Sequence, residues 1–435
     1  GGHRAFLRTL RRRGRLRLSR MPRTEESKAS QVGRDYFWNT AASVMMSLAT
    51  VILTVVVTRS AGLAAGGVFG LAYQAGQQFQ PLGMYEVRPY QVTDLEHRFS
   101  FGTYLATRIV TVGLMILGVV GYAVLFGDGP GDMLLIILIA SLRLFDAFED
   151  VYVCEFQRVG RLDIGGQSWF WRSLTTAAAF SGMLIATGEL LSSTVVTLAV
   201  SLVATVLLYV PRARGLFPQR PVWESRLIKE LLIICLPLCL ASFISMYLAS
   251  APRFSIKHYL DSTQQGYFTI LFMPAMAINL LSIMVFRPLL TSMASLWVGA
   301  DLPGFNRLIR RGLLVTVGAF VVVGAVTFLA GAPILGLVYG TDISMFRAEL
   351  MVLVLGGAMN AASVVLYYAL TTMRLQKLAF VGYALAAVAM TLMFVLLVPS
   401  QGLLGVSIAY TCGMGVLVLL FALFQQRAIV AHSGV

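Results

Sequence analysis

Continuously apolar runs of about twenty residues recur along the whole chain, and a helix of that length spans a bilayer core about 30 Å thick. No water is available there to satisfy a backbone amide, so only helices and closed barrels can cross. The runs are apolar throughout rather than alternating, which argues against a transmembrane β-barrel. Only 12% of the 435 residues are charged and 57% are hydrophobic. A soluble enzyme and a disordered chain are both excluded on that balance. The fold class expected is all-α, a polytopic membrane protein.

Twelve spans can be counted, at 36–58, 66–86, 102–126, 131–156, 166–187, 191–211, 229–257, 264–286, 312–338, 346–372, 378–399 and 402–426. Turn chemistry separates them, as in Gly127-Asp128-Gly129-Pro130-Gly131 and Pro399-Ser400-Gln401-Gly402. An even count puts both termini on one side. Residues 1–34 carry eleven Lys/Arg, and the connections on the same side bring that side to 27, against four on the other: Arg59, Arg253, Lys257 and Arg347. Cytoplasmic flanks collect Lys and Arg, so both termini are expected in the cytoplasm. The net charge of +14 is thus a topology signal and a contact for membrane lipids, with no nucleic acid implied. Residues 1–20 read as an Arg-rich extension, with Met21 as the expected native start and no secretory signal.

A repeat divides the chain. Gly67-Val68-Phe69 corresponds to Gly266-Tyr267-Phe268, and Arg88-Pro89 follows the first as Arg287-Pro288 follows the second. At a larger offset, Arg158 and Arg161 correspond to Arg374 and Lys377. The organisation expected is a basic segment 1–35, a first six-helix bundle 36–211, an amphipathic linker helix 212–228 on the inner membrane surface, a second bundle 229–427 and a tail 428–435. The two bundles share one orientation around a central polar cavity, an arrangement found in transporters with a substrate path between halves.

Three arginines lie within spans: Arg108, Arg143 and Arg172. Each costs at least about 2.5–3.5 kcal/mol in hydrocarbon and must face protein or water. Arg143 is the deepest. On a continuous helix Asp146, Asp150 and Gln157 share its face while Glu149 falls off it. Two readings stay open. The acids neutralise buried arginines as a structural network, or a hydrated cationic cavity contains acids, Asp146 and Asp150, that exchange a coupling cation (H+ or Na+). Arg253, near the outer end of the seventh span, either snorkels outward or points into the cavity. Arg59 closes the first span. Cys154, Cys235, Cys239 and Cys412 form no metal or disulfide pattern, and the four histidines are scattered. No cofactor or metal is expected.

The sequence YFWNTAASVMMSLATVILTVVVTRSAG, then GVFGLAY and RPYQVTD, then EDVYVCEFQRVGRLDIGGQSWFWR with Asp150, Gln157, Arg161, Asp163, Gly165, Ser168 and Arg172, resembles the bacterial polysaccharide or O-antigen flippases. APRFSIKHYL, with Pro252 and Arg253, and GLLGVSIAY extend the resemblance, which runs over about 34–427. Ala251 and Ala61 replace an asparagine and a leucine of the family pattern. The resemblance implies a multidrug/oligosaccharidyl-lipid/polysaccharide exporter fold of two bundles that alternate in access. It implies transport of an undecaprenyl-diphosphate-linked oligosaccharide across the bacterial cytoplasmic membrane, with a glycan polymerase complex as partner. Substrate-binding residues would be Arg59, Arg108, Arg143, Arg172 and Arg253, because guanidinium forks suit diphosphate. No P-loop is present. The competing readings are an ion-coupled drug or cation exporter of the same fold, and a membrane glycan polymerase, ligase or scaffold. The exporter would want acids dominating its lumen. The enzymes would want a large outer loop, whereas the longest outer connections are 59–65 and 339–345.

Overall fold

A computed structural model describes residues 25–94, 98–286, 290–299 and 301–433. Residues 1–20, Met21 and Arg287-Pro288 lie outside the described residues. Those described form helices and turns, with no strand among them. The first half comprises α1 (Glu25–Ala61), α2 (Leu63–Met84), the short α3 (Arg88–Thr93), α4 (Phe101–Phe126), α5 (Pro130–Ser141), α6 (Leu144–Arg158), α7 (Leu162–Thr187) and α8 (Leu190–Ala213). The second comprises α9 (Ser225–Tyr259), α10 (Ser262–Leu271), α11 (Met273–Phe286), α12 (Leu290–Val298), α13 (Leu302–Val326), α14 (Ala332–Tyr339), α15 (Arg347–Thr372) and α16 (Gln376–Ser433). A π turn at Thr327–Gly331 joins α13 to α14, and α16 is two helices meeting at a kink at Gly402, whose φ is +58°.

Eight described segments are long and apolar enough to cross a membrane. The last of them, kinked at Gly402, makes two passes. Three more polar helical segments are of spanning length: α2, the pair α5–α6, and α7. These three hold Gln74, Gln78 and Gln80, Arg143 with its acids, and Arg172, which burial inside the bundle permits. The chain is therefore a polytopic all-α membrane protein.

Each departure from the expected spans has a local cause. The fourth span breaks at Leu142 and Arg143, where the amides of both reach back only three residues, to the carbonyls of Ile139 and Ala140 at 3.1 Å. The eighth breaks at Phe272, just ahead of Pro274, which has no amide to donate. The expected amphipathic linker helix is absent. Residues 214–224 are irregular, with Gly215 at φ +83° followed by Pro218 and Pro221. They pack on the first half through Phe217 against Phe101, 4.6 Å between ring centres, and through the Val222 amide to the Gly102 carbonyl at 2.9 Å.

The halves meet at the end of the bundle opposite the termini, the far end. The two glycines of the sequence repeat face each other there. A Cβ on Gly67 would stand 2.0 Å from the Ser262 carbonyl, and one on Gly266 would stand 2.3 Å from that of Leu63. Only glycine permits α2 and α10 to cross so closely. Lys257 of α9 reaches Asp128 and Asp132 of the first half, the latter at 2.9 Å. α9 also connects the halves at the near end, where Arg98 pairs with Glu230 and Ser242 donates to Glu86 at 2.6 Å.

Candidate functional site

The three intramembrane arginines of the first half fall into two arginine–carboxylate clusters. Asp146, on the first turn of α6, receives Arg143 at 2.6 Å and Arg172 from α7. Arg172 also holds Glu149 through a two-pronged contact, 2.6 and 2.9 Å. One turn after Asp146, Asp150 accepts from Arg88 at 2.7 and 2.9 Å and from Arg108 at 2.9 Å. Arg108 spends its other arm on the Gly83 carbonyl at 2.7 Å. All three intramembrane arginines are buried, and Asp146, Glu149 and Asp150 are 6%, 1% and 5% exposed.

Arg143 differs from its neighbours in position. It sits at the α5–α6 break, so its side chain leaves the helix axis towards α2. There it donates to Gln80 at 2.9 Å and to the Tyr73 hydroxyl at 3.2 Å, over the Tyr73 ring. Gly76 makes room: a Cβ there would meet the Arg143 side chain at 2.9 Å. The Arg143 Nε remains unpartnered.

A cavity of about 440 Å³ opens between the halves, and Arg143 is the one charged side chain among the described residues that line it. Gln77, Ser47 and Thr50 join it from the first half. The second half supplies Asn279, Asn360, Phe272, Tyr339 and Tyr410. The Asn279 side-chain oxygen and the Tyr339 hydroxyl are buried and have no hydrogen-bond partner among the described residues. Exposed apolar side chains, Val51, Met276 and Leu280, also line it. Asp146 and Arg172 instead line a recess of about 30 Å³ behind Arg143.

The sequence-predicted residues thus fall into separate places. Arg143, Arg172 and Asp146 form one cluster; Arg108 and Asp150 form the other. Arg59 is remote from both. It lies exposed at the far end, donating to the carbonyls of Val338 at 2.7 Å and of Leu337, in the last turn of α14. Arg253 is 6% exposed and points inward, not outward. Its guanidinium lies 5.5 Å from the ring centres of Phe268 and Phe272 and donates to Gln74 at 3.3 Å.

Glu149 corrects the sequence reading, which put it off the charged face. Two facts account for it. The break at residues 142–143 invalidates a continuous helical wheel through Arg143, and Arg172 approaches from another helix. Arg88 enters the sequence reading through the charge asymmetry, the repeat and the RPYQVTD motif, none of which points to its pairing with Asp150. The glutamine run of α2, YQAGQQFQ, was a legible signal, because amides inside a span need protein partners.

Outside the spans, Asp94 closes the loop to α4. Burial would raise its carboxyl. The amides of Phe99 and Arg98 and the Tyr104 hydroxyl outweigh that and hold it below the usual carboxylate range.

No protein-family model matches the chain, and no curated protein matches it by sequence. Solved structures do resemble it. An inward-facing multidrug-resistance MATE-family transporter of the MOP superfamily shares 14% identity at a TM-score of 0.67, covering 89% of this chain and 95% of its own. The lipid II flippase MurJ, in an inward closed conformation, shares 13% at 0.62, covering 89% of each. A MOP-superfamily transporter from Pyrococcus furiosus, described as having a binding pocket of reverse polarity, shares 13% at 0.58, covering 93% and 96%. By its fold, then, the chain is similar to the MOP-superfamily transporters.

Proposed function

We propose that the chain is an alternating-access transporter of an anionic, lipid-linked polar substrate, with an undecaprenyl-diphosphate-linked oligosaccharide as the best fit. The observation that carries this is the position of Arg143, the single charge among the described residues on the wall of a cavity between two helix bundles. A fixed cation there favours an anion, and a guanidinium fork matches diphosphate oxygens. Amides and tyrosines on the opposite wall suit hydroxyl-rich groups. The exposed apolar side chains on the cavity wall offer a polyprenyl tail a route into lipid.

The same fold occurs in multidrug transporters, and a cation exporter is the second reading. It wants a free carboxylate facing the cavity. None lines it among the described residues, and Asp146 and Asp150 are each held by two arginines. That pairing favours a structural role for both acids over exchange of a coupling cation. We place both termini in the cytoplasm of a bacterial cell, on the Lys/Arg asymmetry.

The test is movement of a fluorescent polyprenyl-diphosphate-linked oligosaccharide across proteoliposomes. Wild-type protein should move it and Arg143→Gln should reduce the rate at least tenfold while staying folded. Full activity of Arg143→Gln, or efflux of organic cations in place of the lipid, would overturn the reading.

A further inference from the structure

A second groove, of about 740 Å³, runs along the outside of the first half between α7 and α8. It shares no lining residue with the cavity between the halves. Its walls are mainly apolar: Ala199, Val203 and Leu207 on α8, with Trp171 and Thr175 on α7. Val203 and Leu207 are 56% and 64% exposed, so this face of the bundle is turned to lipid. Arg212 closes one end of the groove and is the one charged side chain among the described residues that line it.

Arg212 stands in the last turn of α8, where a long basic side chain ordinarily snorkels away from hydrocarbon. Its Nη1 instead donates at 2.8 Å to the hydroxyl of the buried Ser168 on α7, and that hydroxyl donates at 3.2 Å to the Leu208 carbonyl, one turn back along α8. The guanidinium is thereby drawn towards the level of Leu208, into the mouth of the groove. Ser168 is its one polar contact among the described residues, so no carboxylate there neutralises it. Nine residues separate Leu208 from Ala199, about 14 Å of helix at 1.5 Å per residue. One leaflet of hydrocarbon is about 15 Å deep, half of a core of about 30 Å. The groove therefore has the length of an acyl chain, with a cation where that chain meets its headgroup. Trp171, 45% exposed and nearly one turn deeper than Ser168, carries the amphipathic ring that settles at this level.

We propose that the α7–α8 groove binds a phospholipid with an anionic headgroup, from the leaflet on the side of the termini, its phosphate on Arg212 and an acyl chain along Val203 and Ala199. A net negative headgroup complements the guanidinium, whereas the ammonium of a zwitterionic lipid offsets part of the attraction. The bound lipid clasps α7 to α8 behind the arginine–carboxylate cluster. Trp171 and Thr175 face the groove, while the residue after each, Arg172 and Thr176, is buried against Glu149 and Ser201. The proposal is independent of what the transporter carries.

The test uses the full chain, delipidated in detergent, with phosphatidylglycerol and phosphatidylcholine of equal chain length as probes. Phosphatidylglycerol should raise the melting temperature by several degrees more than phosphatidylcholine does. Arg212→Gln orphans no carboxylate and should melt near wild type without lipid. It should bind phosphatidylglycerol about fivefold more weakly, the factor one arginine near the surface adds towards anionic lipid, and Arg212→Lys should keep the preference. Ala199→Trp, which fills the deep end of the groove, should weaken both lipids. Equal stabilisation of wild type by the two lipids, or unchanged phosphatidylglycerol affinity in Arg212→Gln, would overturn the proposal. So would failure of Arg212→Gln to fold, which would make Arg212 a packing element. A wild-type dimer that Ala199→Trp breaks without changing lipid affinity would also overturn it and give the groove to a second copy.

Discussion

Asp146 stands between two arginines, and its removal leaves both without a shared counter-charge. Breaking a buried pair in this way costs about 3–5 kcal/mol. Asp146→Asn should therefore lower the melting temperature in detergent, and Arg143→Gln on that background should restore part of the loss. An Asp146→Asn protein as stable as wild type, with altered ion dependence of transport, would return the acid to a coupling role. Asp94 gives a residue-scale test outside the membrane. Its folded carboxyl titrates below its unfolded value. The stability it adds is therefore complete above an unfolded pKa of about 3.9 and is lost as pH falls through the lower folded value. Asp94→Asn should melt below wild type at pH 6, and the gap should close as pH falls below about 4. A gap independent of pH would assign the effect to packing.

Among the elements, the α2–α10 crossing depends most sharply on single side chains. A methyl group at Gly67 or Gly266 would collide with backbone carbonyl oxygens, which cannot rotate aside. Alanine ordinarily favours a helix interior by about 1 kcal/mol over glycine. Here overpacking of about 1–3 kcal/mol should reverse the sign. Gly67→Ala and Gly266→Ala should each force the halves apart at the far end, measurable as a longer distance between spin labels on α2 and α10. The unchanged wild-type distance in both variants would refute the close crossing. The repeat is visible in the turns as well. Gly160 and Arg374 both take left-handed φ, +71° and +60°. Each is followed by an amide reaching five residues back, Arg161 to Phe156 at 2.7 Å and Leu375 to Leu370 at 2.8 Å. This register differs by two residues from the one the basic pairs suggested, because backbone conformation rather than charge defines the equivalent positions.

For the molecule as a whole, the alternating-access reading makes the far-end contacts restraints on one of two states. Lys257 and Arg59 bind across the halves with polar groups alone, so they can be released without exposing an apolar core. Replacing both by alanine should shift the spin-label distances towards a far-end-open population and raise reagent access to the cavity from that side. An unshifted distribution would leave the glycine crossing as the sole restraint. The twelve-pass reading puts both termini on one side, so a reporter that fluoresces only in the cytoplasm, fused at Val435, should give signal. A stably expressed but dark fusion would contradict the orientation.

The apolar runs alone specified a polytopic all-α membrane protein, because span formation depends on local hydropathy and backbone hydrogen bonding. The arginines inside spans marked the half that carries charge, since such residues survive only where protein or water meets them. Pairing was beyond reach of the sequence. Asp146 with Arg172, Glu149 with Arg172 and Asp150 with Arg88 join residues from different elements, and their geometry depends on how helices cross. The break at Leu142–Arg143 turned one arginine towards the cavity and left Arg108 and Arg172 in its supports. Gly76 and Gly67 permitted those approaches. Only the tertiary structure could decide them, because an approach of two helices depends on both surfaces at once and neither strand of sequence contains the other.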